Sequence, residues 1–131
     1  MGYLDVVLYK AESDVYRHWA IHIEGPGKKH KIYEVDGESP NFEFNVRTSN
    51  PQRSRRVKQV IKVTDSLDDF DKAIEVLKDI EIHNDIAHWN CQDWVLEALE
   101  KLKDEGIIPE DGYERAELRL KALAGANEVA D

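Results

Sequence analysis

The sequence predicts an α+β domain in which an antiparallel sheet of about five strands precedes two to three helices. The first half of the chain consists of short apolar runs separated by turn residues, whereas the second half places apolar residues three or four positions apart. Strands followed by helices are typical of an α+β fold. With 131 residues, of which 41% are hydrophobic, the chain is expected to form one domain over residues 1–131. We expect its last few residues to be flexible.

Five segments of the first half have the composition of strands. Strong turn signals follow the second and third of them, at Gly25-Pro26-Gly27 and at Asp36-Gly37. In the fourth segment, apolar and polar residues alternate, which is typical of a strand with one buried face. The predicted strands are residues 3–10, 15–23, 31–35, 42–47 and 57–63.

Three segments of the second half are predicted to be helical. Ser66 is a candidate N-cap for the first helix, because Asp69 follows three residues later in the pattern of a capping box. Asn90 is the candidate N-cap of the second helix, which Gly106 ends, and Pro109 opens the third. The apolar stripe of the second helix contains Cys91, Val95, Ala98 and Leu102, widened by Trp94 and Leu99.

The composition narrows the classes of protein to which the chain can belong. A net charge of −9 favours solubility and argues against nucleic acid as the main partner. A single cysteine cannot form an internal disulfide, so an oxidising compartment is not needed for folding. The sequence contains neither a signal-peptide pattern nor an apolar stretch long enough to span a bilayer. We therefore expect a cytoplasmic protein without an integral membrane anchor.

Cys91 is the first candidate functional residue, because it is predicted to lie in the first turn of the second helix. A helix N-terminus presents unpaired N–H groups and a partial positive charge. Both favour the thiolate, which is the nucleophilic form of cysteine.

A histidine and a carboxylate are predicted to share one face of the sheet. Side chains alternate along a strand, so that His18, Ala20 and His22 point to one side. A hairpin that turns near Pro26 places His18 opposite Glu34, although a slip of one residue would separate them. If the second helix packs on this face, Cys91, His18 and Glu34 are a candidate nucleophile, base and orienting group.

Each of these residues also has a purely structural interpretation. A lone cysteine on an apolar helical face is usually a small core residue, and a strand histidine often has only structural hydrogen bonds. The pattern contains neither paired cysteines nor the His-Glu-x-x-His spacing of metal sites, so that we expect no metal and no cofactor. The side chains that could in principle bind zinc are His18, His22, His30, Glu34 and Cys91.

Three short segments together carry a family resemblance. They read His18-Trp19-Ala20-Ile21, Ile32-Tyr33-Glu34-Val35 and Asn90-Cys91-Gln92-Asp93-Trp94-Val95. In this order they resemble the circularly permuted branch of the papain-like cysteine fold, in particular lecithin-retinol acyltransferase-like and NlpC-type proteins. The resemblance covers roughly residues 3–105 in outline. Gln92 and Asp93 stand where the family has Glu-His.

The resemblance implies Cys91 as nucleophile and His18 as general base. Aligning the following strand by its apolar pattern gives Glu34 as the third residue, and His30 is the alternative. The backbone N–H of Cys91 would contribute to an oxyanion hole, with Tyr16 as a candidate second donor.

The expected function is that of a cysteine-dependent hydrolase or acyltransferase. It would act on an amide, peptide or acyl substrate through a thioester intermediate. Trp19, Trp89 and Gln92 are the candidate residues of a substrate groove. The alternative is a catalytically inactive protein- or peptide-binding module on the same fold.

Overall fold

A computed structural model describes residues 2–10, 18–38 and 40–129, and the surroundings of the side chains as far as residue 124. Its five strands form a single antiparallel sheet in the order β4-β3-β2-β1-β5. Their bounds are β1 (Gly2–Tyr9), β2 (Trp19–Gly25), β3 (Lys29–Asp36), β4 (Glu43–Thr48) and β5 (Val57–Leu67). The α+β class and the number of strands are confirmed.

Three helices follow the sheet and pack on it: α1 (Phe70–Asp79), α2 (Cys91–Asp104) and α3 (Glu110–Val129). Asn90 caps α2 as predicted: its side chain accepts a hydrogen bond from the N–H of Gln92, and the Asp93 carboxylate accepts one from the N–H of Asn90. The prediction about the last few residues concerns positions that are not fully described. None of the described helices combines the length and the apolar character that crossing a membrane requires.

The predicted start of the first helix is wrong. Ser66 lies within β5, because this strand remains paired with β1 as far as the contact between Gly2 and Leu67. The helix begins three residues later, where the Asp69 carboxylate accepts a hydrogen bond from the N–H of Lys72. Pairing with β1 therefore outweighs the local capping signal at Ser66.

The sheet has an inner face, which the helices cover, and an outer face. Trp19, Ile21 and Ile23 of β2 point to the inner face and belong to one core cluster with Trp94 and Val95 of α2. The condition stated in the sequence analysis, that α2 packs on the face of His18, is therefore not met. The reason is hydrophobic: the three residues of the inner face are large and apolar, so that covering them buries more apolar surface.

The register between β2 and β3 also differs from the prediction. The hairpin turns through a 3₁₀ segment, Pro26–Lys28, with Gly27 at a φ of 73°. This turn pairs His22 with Ile32 and Glu24 with His30, a shift of two residues from the predicted register. Because the side-chain period of a strand is two, such a shift keeps every residue on its predicted face.

A smaller apolar cluster lies on the outer face and consists of Val7, Tyr9, Ala20 and Ile32, with Val57 packed against it. Among the side chains that the structure describes, none from a helix belongs to this cluster. Strands β4 and β5 occupy opposite edges of the sheet, so residues 49–56, which connect them, must cross three strands. The crossing segment is held near its two ends, where Ser49 N–H donates to His30 O and Lys10 N–H donates to Arg56 O. We infer that this segment covers the outer face.

Gly112 marks a close approach of α3 to β5. A Cβ atom at this position would lie 2.4 Å from the carbonyl oxygen of Val63 in β5, which belongs to the backbone and cannot turn aside. We expect Gly112→Ala to destabilise the protein by about 1–2 kcal/mol, since overpacking outweighs the gain of about 1 kcal/mol in helix propensity. Urea unfolding measures this change.

Glu114→Ala is the matched control, because Glu114 is exposed in the same part of α3. We expect this control to change stability by less than about 0.5 kcal/mol. A Gly112→Ala variant as stable as the original protein would contradict the close packing of α3 on β5.

Candidate active site

The structure brings Cys91, His18 and Glu34 together. Cys91 is the first residue of α2, His18 immediately precedes β2, and Glu34 lies in β3. The Nε2 atom of His18 is 2.7 Å from Oε1 of Glu34, and the same imidazole is hydrogen-bonded to Cys91. Because Nε2 contacts Glu34, we infer that Nδ1 is the ring nitrogen directed at the thiol.

The three residues meet at the end of the sheet. Cys91 belongs to the core cluster of the inner face, whereas Glu34 shares the outer face with Ala20 and Ile32. His18 lies just outside β2, at the end of the strand, where a side chain can contact groups of both faces. The meeting of Cys91 and His18 therefore does not require α2 to pack on the face of His18.

The members of this group differ in their access to solvent. Cys91 is 1% exposed and Glu34 is 3% exposed. The side chain of His18 is 31% exposed. The imidazole is thus the part of the group that solvent reaches most easily.

The surroundings of His18 stabilise its protonated form. Burial alone would lower the pKa of the imidazole, but the hydrogen bonds to Cys91 and Glu34 and the attraction of both groups outweigh it. Together they raise the pKa of His18 from 6.5 to about 9.

Glu34, in contrast, is held as a carboxylate. Burial would raise its pKa, but hydrogen bonds from His18 and Arg47 and the positive charges of both side chains lower that pKa from 4.5 to about 2. A carboxylate hydrogen-bonded to an imidazole orients the ring and stabilises its protonated form.

Three residues of this site were missed from the sequence: Arg47, Asn45 and Tyr9. Oε2 of Glu34 accepts hydrogen bonds from Arg47 Nε at 2.8 Å and from Asn45 Nδ2 at 3.0 Å. Arg47 Nη2 donates to the hydroxyl of Tyr9 at 2.8 Å. The alternation of β4 placed Asn45 and Arg47 on its polar side, but only the pairing of Asn45 with Glu34 shows what they contact.

His30, the alternative third residue, contacts a different histidine. Its Nδ1 atom is 2.9 Å from Nε2 of His22, and Nδ1 of His22 is 3.4 Å from Oδ2 of Asp5. The imidazole rings of His22 and His30 are stacked, with their centroids 5.1 Å apart. Glu34, and not His30, is therefore the residue beside His18.

The candidate groove residues are mostly buried. Trp19 is fully buried in the main core cluster, on the inner face of the sheet, and its assignment to a substrate groove stays a prediction. Trp89 is 6% exposed and donates its indole N–H to Glu97 Oε2 at 2.7 Å, and Gln92 is 9% exposed. For Trp89 and Gln92 the groove stays a prediction.

The second oxyanion donor proposed from the sequence, Tyr16, lies outside the described residues. The backbone N–H of Cys91 lies in the first turn of α2, as expected. Within the described part of the chain, no group of three or more His, Cys, Asp or Glu side chains is arranged to hold a metal ion.

A family model matches residues 4–109, which span the sheet, α1 and α2. This family is described as a family of unknown function, DUF6540. The chain belongs to DUF6540. The segment that the DUF6540 model matches contains His18, Glu34 and Cys91. Neither the curated proteins nor the solved structures contain a match to the chain.

The charges of the site predict how stability depends on pH. The pKa of Glu34 falls from 4.5 to about 2 on folding, so its contribution is present above pH 4.5 and is lost as the pH falls towards 2. The pKa of His18 rises from 6.5 to about 9, so its contribution is present below pH 6.5 and is lost as the pH rises towards 9. Urea unfolding at a series of pH values between about 2 and 9 measures both changes in stability.

In the Glu34→Gln variant, the free energy of unfolding should fall less steeply as the pH is lowered below 4.5. The same variant should be less stable than the original protein by about 1–3 kcal/mol near neutral pH, since the partners of the carboxylate lose their acceptor. Glu43→Gln is the control, because Glu43 is an exposed carboxylate on the neighbouring strand β4. If the stability of the Glu34→Gln variant and that of the original protein fell equally at low pH, the ionised state of Glu34 would be contradicted.

Proposed function

We propose that the protein is a cysteine-dependent hydrolase or acyltransferase that acts on an amide, peptide or acyl substrate. The observation that carries the proposal is the position of the His18 imidazole, which is hydrogen-bonded to the Cys91 thiol and to the Glu34 carboxylate. A nucleophile, a base and a group that orients the base are the parts that acyl transfer through a thiol requires.

We also propose that the domain is a circularly permuted papain-like fold. Three features support this proposal: an antiparallel sheet that precedes the cysteine helix, a histidine at the start of β2, and a polar partner in the adjacent strand β3. The likeness rests on the order and placement of these elements.

In the first step of the proposed reaction, the sulfur of Cys91 attacks the carbonyl carbon of the substrate while the Cys91 proton resides on His18. The carbonyl π electrons move to oxygen and give a tetrahedral oxyanion, towards which the first N–H groups of α2 can point. When the intermediate collapses, the bond to the leaving group breaks and His18 returns the proton to that group. The product is a thioester on Cys91.

In the second step, His18 takes a proton from water or from another acceptor, whose oxygen or nitrogen attacks the thioester carbonyl. Collapse of the second intermediate breaks the carbon–sulfur bond and restores Cys91. Water gives hydrolysis, and an alcohol or amine gives acyl transfer. Throughout both steps the Glu34 carboxylate stabilises the positive charge that His18 gains.

The first test of this function is the reactivity of Cys91. We expect iodoacetamide at about pH 6 to alkylate Cys91 at least about tenfold faster than a free model thiol, because a histidine beside a cysteine generally favours the nucleophilic form of the thiol. Mass spectrometry of the intact protein measures the rate, and the single cysteine makes the assignment unambiguous.

His18→Asn should reduce this rate to that of the model thiol or below. His88→Asn is the matched control, because His88 is exposed and has a positive φ of 69°, a conformation that asparagine tolerates. If Cys91 of the unsubstituted protein reacts no faster than the model thiol, and His18→Asn leaves the rate unchanged, the proposed function is wrong.

A second candidate function is a protein- or peptide-binding module without catalytic activity. The observation in its favour is the burial of Cys91, which is only 1% exposed and packs in the core cluster. A fold does not by itself determine activity. Screening acyl, peptide and ubiquitin-like electrophilic probes separates the two functions, since a binding module would form no covalent adduct with any of them at Cys91.

A further inference from the structure

Arg47 makes two of the four polar contacts that the described side chains give to the Glu34 carboxylate. Its Nε atom donates to Oε2 at 2.8 Å, and its Nη2 atom lies 3.4 Å from Oε1. Asn45 Nδ2 supplies the third contact and His18 Nε2 the fourth. Arg47 therefore spans both oxygens of the carboxylate and restricts its rotation.

Arg47 is itself held in place by Tyr9. Its guanidinium carbon lies 5.4 Å from the centroid of the Tyr9 ring, and Nη2 donates to the Tyr9 hydroxyl. The same ring lies 5.5 Å from the imidazole of His18. Tyr9 thus contacts two of the three side chains that bind Glu34, namely His18 and Arg47, and Tyr9 is only 6% exposed.

The charges of Glu34 and Arg47 offset each other where they meet. An unpaired buried carboxylate beside His18 would bind the imidazolium strongly and make it a poor proton donor. An arginine on the far side of the carboxylate fixes its position and reduces the negative charge that His18 experiences.

We propose that Arg47 is a positioning residue of the site, which fixes the Glu34 carboxylate and balances its charge so that His18 can both accept and return a proton. This inference rests on the proposed function, because the return of the proton matters only where a leaving group must receive it. Arg47 acts through Glu34 and His18 and need not touch the substrate.

The test is the titration of His18 in the full chain, followed through its imidazole signals by NMR and assigned by their loss in His18→Asn. Arg47→Met leaves the carboxylate charge unbalanced and should raise the midpoint of the His18 titration by about half a unit to one unit. Glu34→Gln leaves the guanidinium charge unbalanced and should lower this midpoint by a similar amount. The double variant lacks both charges and should titrate between the two single variants, close to the original protein.

Arg53→Met is the matched control, because it removes the same charge from an exposed arginine of the crossing segment. We expect this control to leave the His18 midpoint unchanged within about 0.2 unit, since water and salt screen the charge of an exposed side chain. Arg47→Gln replaces Arg47→Met if the latter does not fold, because its amide can still donate to Glu34 while the charge is lost.

Shifts of the two single variants in the same direction, or an Arg47→Met shift no larger than that of Arg53→Met, would overturn the inference. The iodoacetamide profile of Cys91 in the unsubstituted protein reports separately on the proposed function. If Cys91 reacts like an ordinary thiol but the two single variants shift the His18 midpoint in opposite directions, the proposed function is wrong and the charge balance at His18 still holds. If Cys91 is activated but the two variants shift the midpoint in the same direction, only the proposed role of Arg47 is wrong.

Discussion

The hydrogen bond between Glu34 and His18 is the interaction on which the arrangement at the end of the sheet depends. Glu34 is 3% exposed, and a buried carboxylate is tolerated only where donors and positive charges surround it. Those groups come from the start of β2 and from β4, and the Arg47 guanidinium also donates to Tyr9 at the end of β1. One buried charge therefore joins four strands at the place where the cysteine helix begins.

The two faces of the sheet carry different kinds of side chains. The inner face supplies the large apolar side chains against which α2 and α3 pack, and Cys91 is part of that core. The outer face carries the smaller cluster together with Glu34, Asn45 and Arg47. Because Cys91 is the first residue of a helix that packs in the core, its sulfur is placed by a helix and not by a loop, and such a placement favours a precise site.

The outer face contains a second polar cluster that the proposed mechanism does not use. Asp5, His22 and His30 form a chain of close polar contacts, and the ring of Tyr3 packs edge-on against His22. The main-chain oxygen of His30 also accepts the hydrogen bond from Ser49, where the crossing segment begins. This cluster therefore connects β1, β2 and β3 with the segment that we infer to cover the outer face.

The sequence by itself determined the α+β class, the strands, the cap at Asn90 and the sheet face that His18 and Glu34 share. These features follow from periods and capping patterns that involve neighbouring residues, and the face assignment survived a two-residue error in register because the strand period is two. Only the tertiary structure decided which face α2 covers, that Ser66 continues β5, that Trp19 belongs to the core, and that Arg47 and Asn45 hold Glu34. These outcomes depend on contacts between residues far apart in the chain, where the burial of large apolar surface and the pairing of a buried charge outweigh local preference.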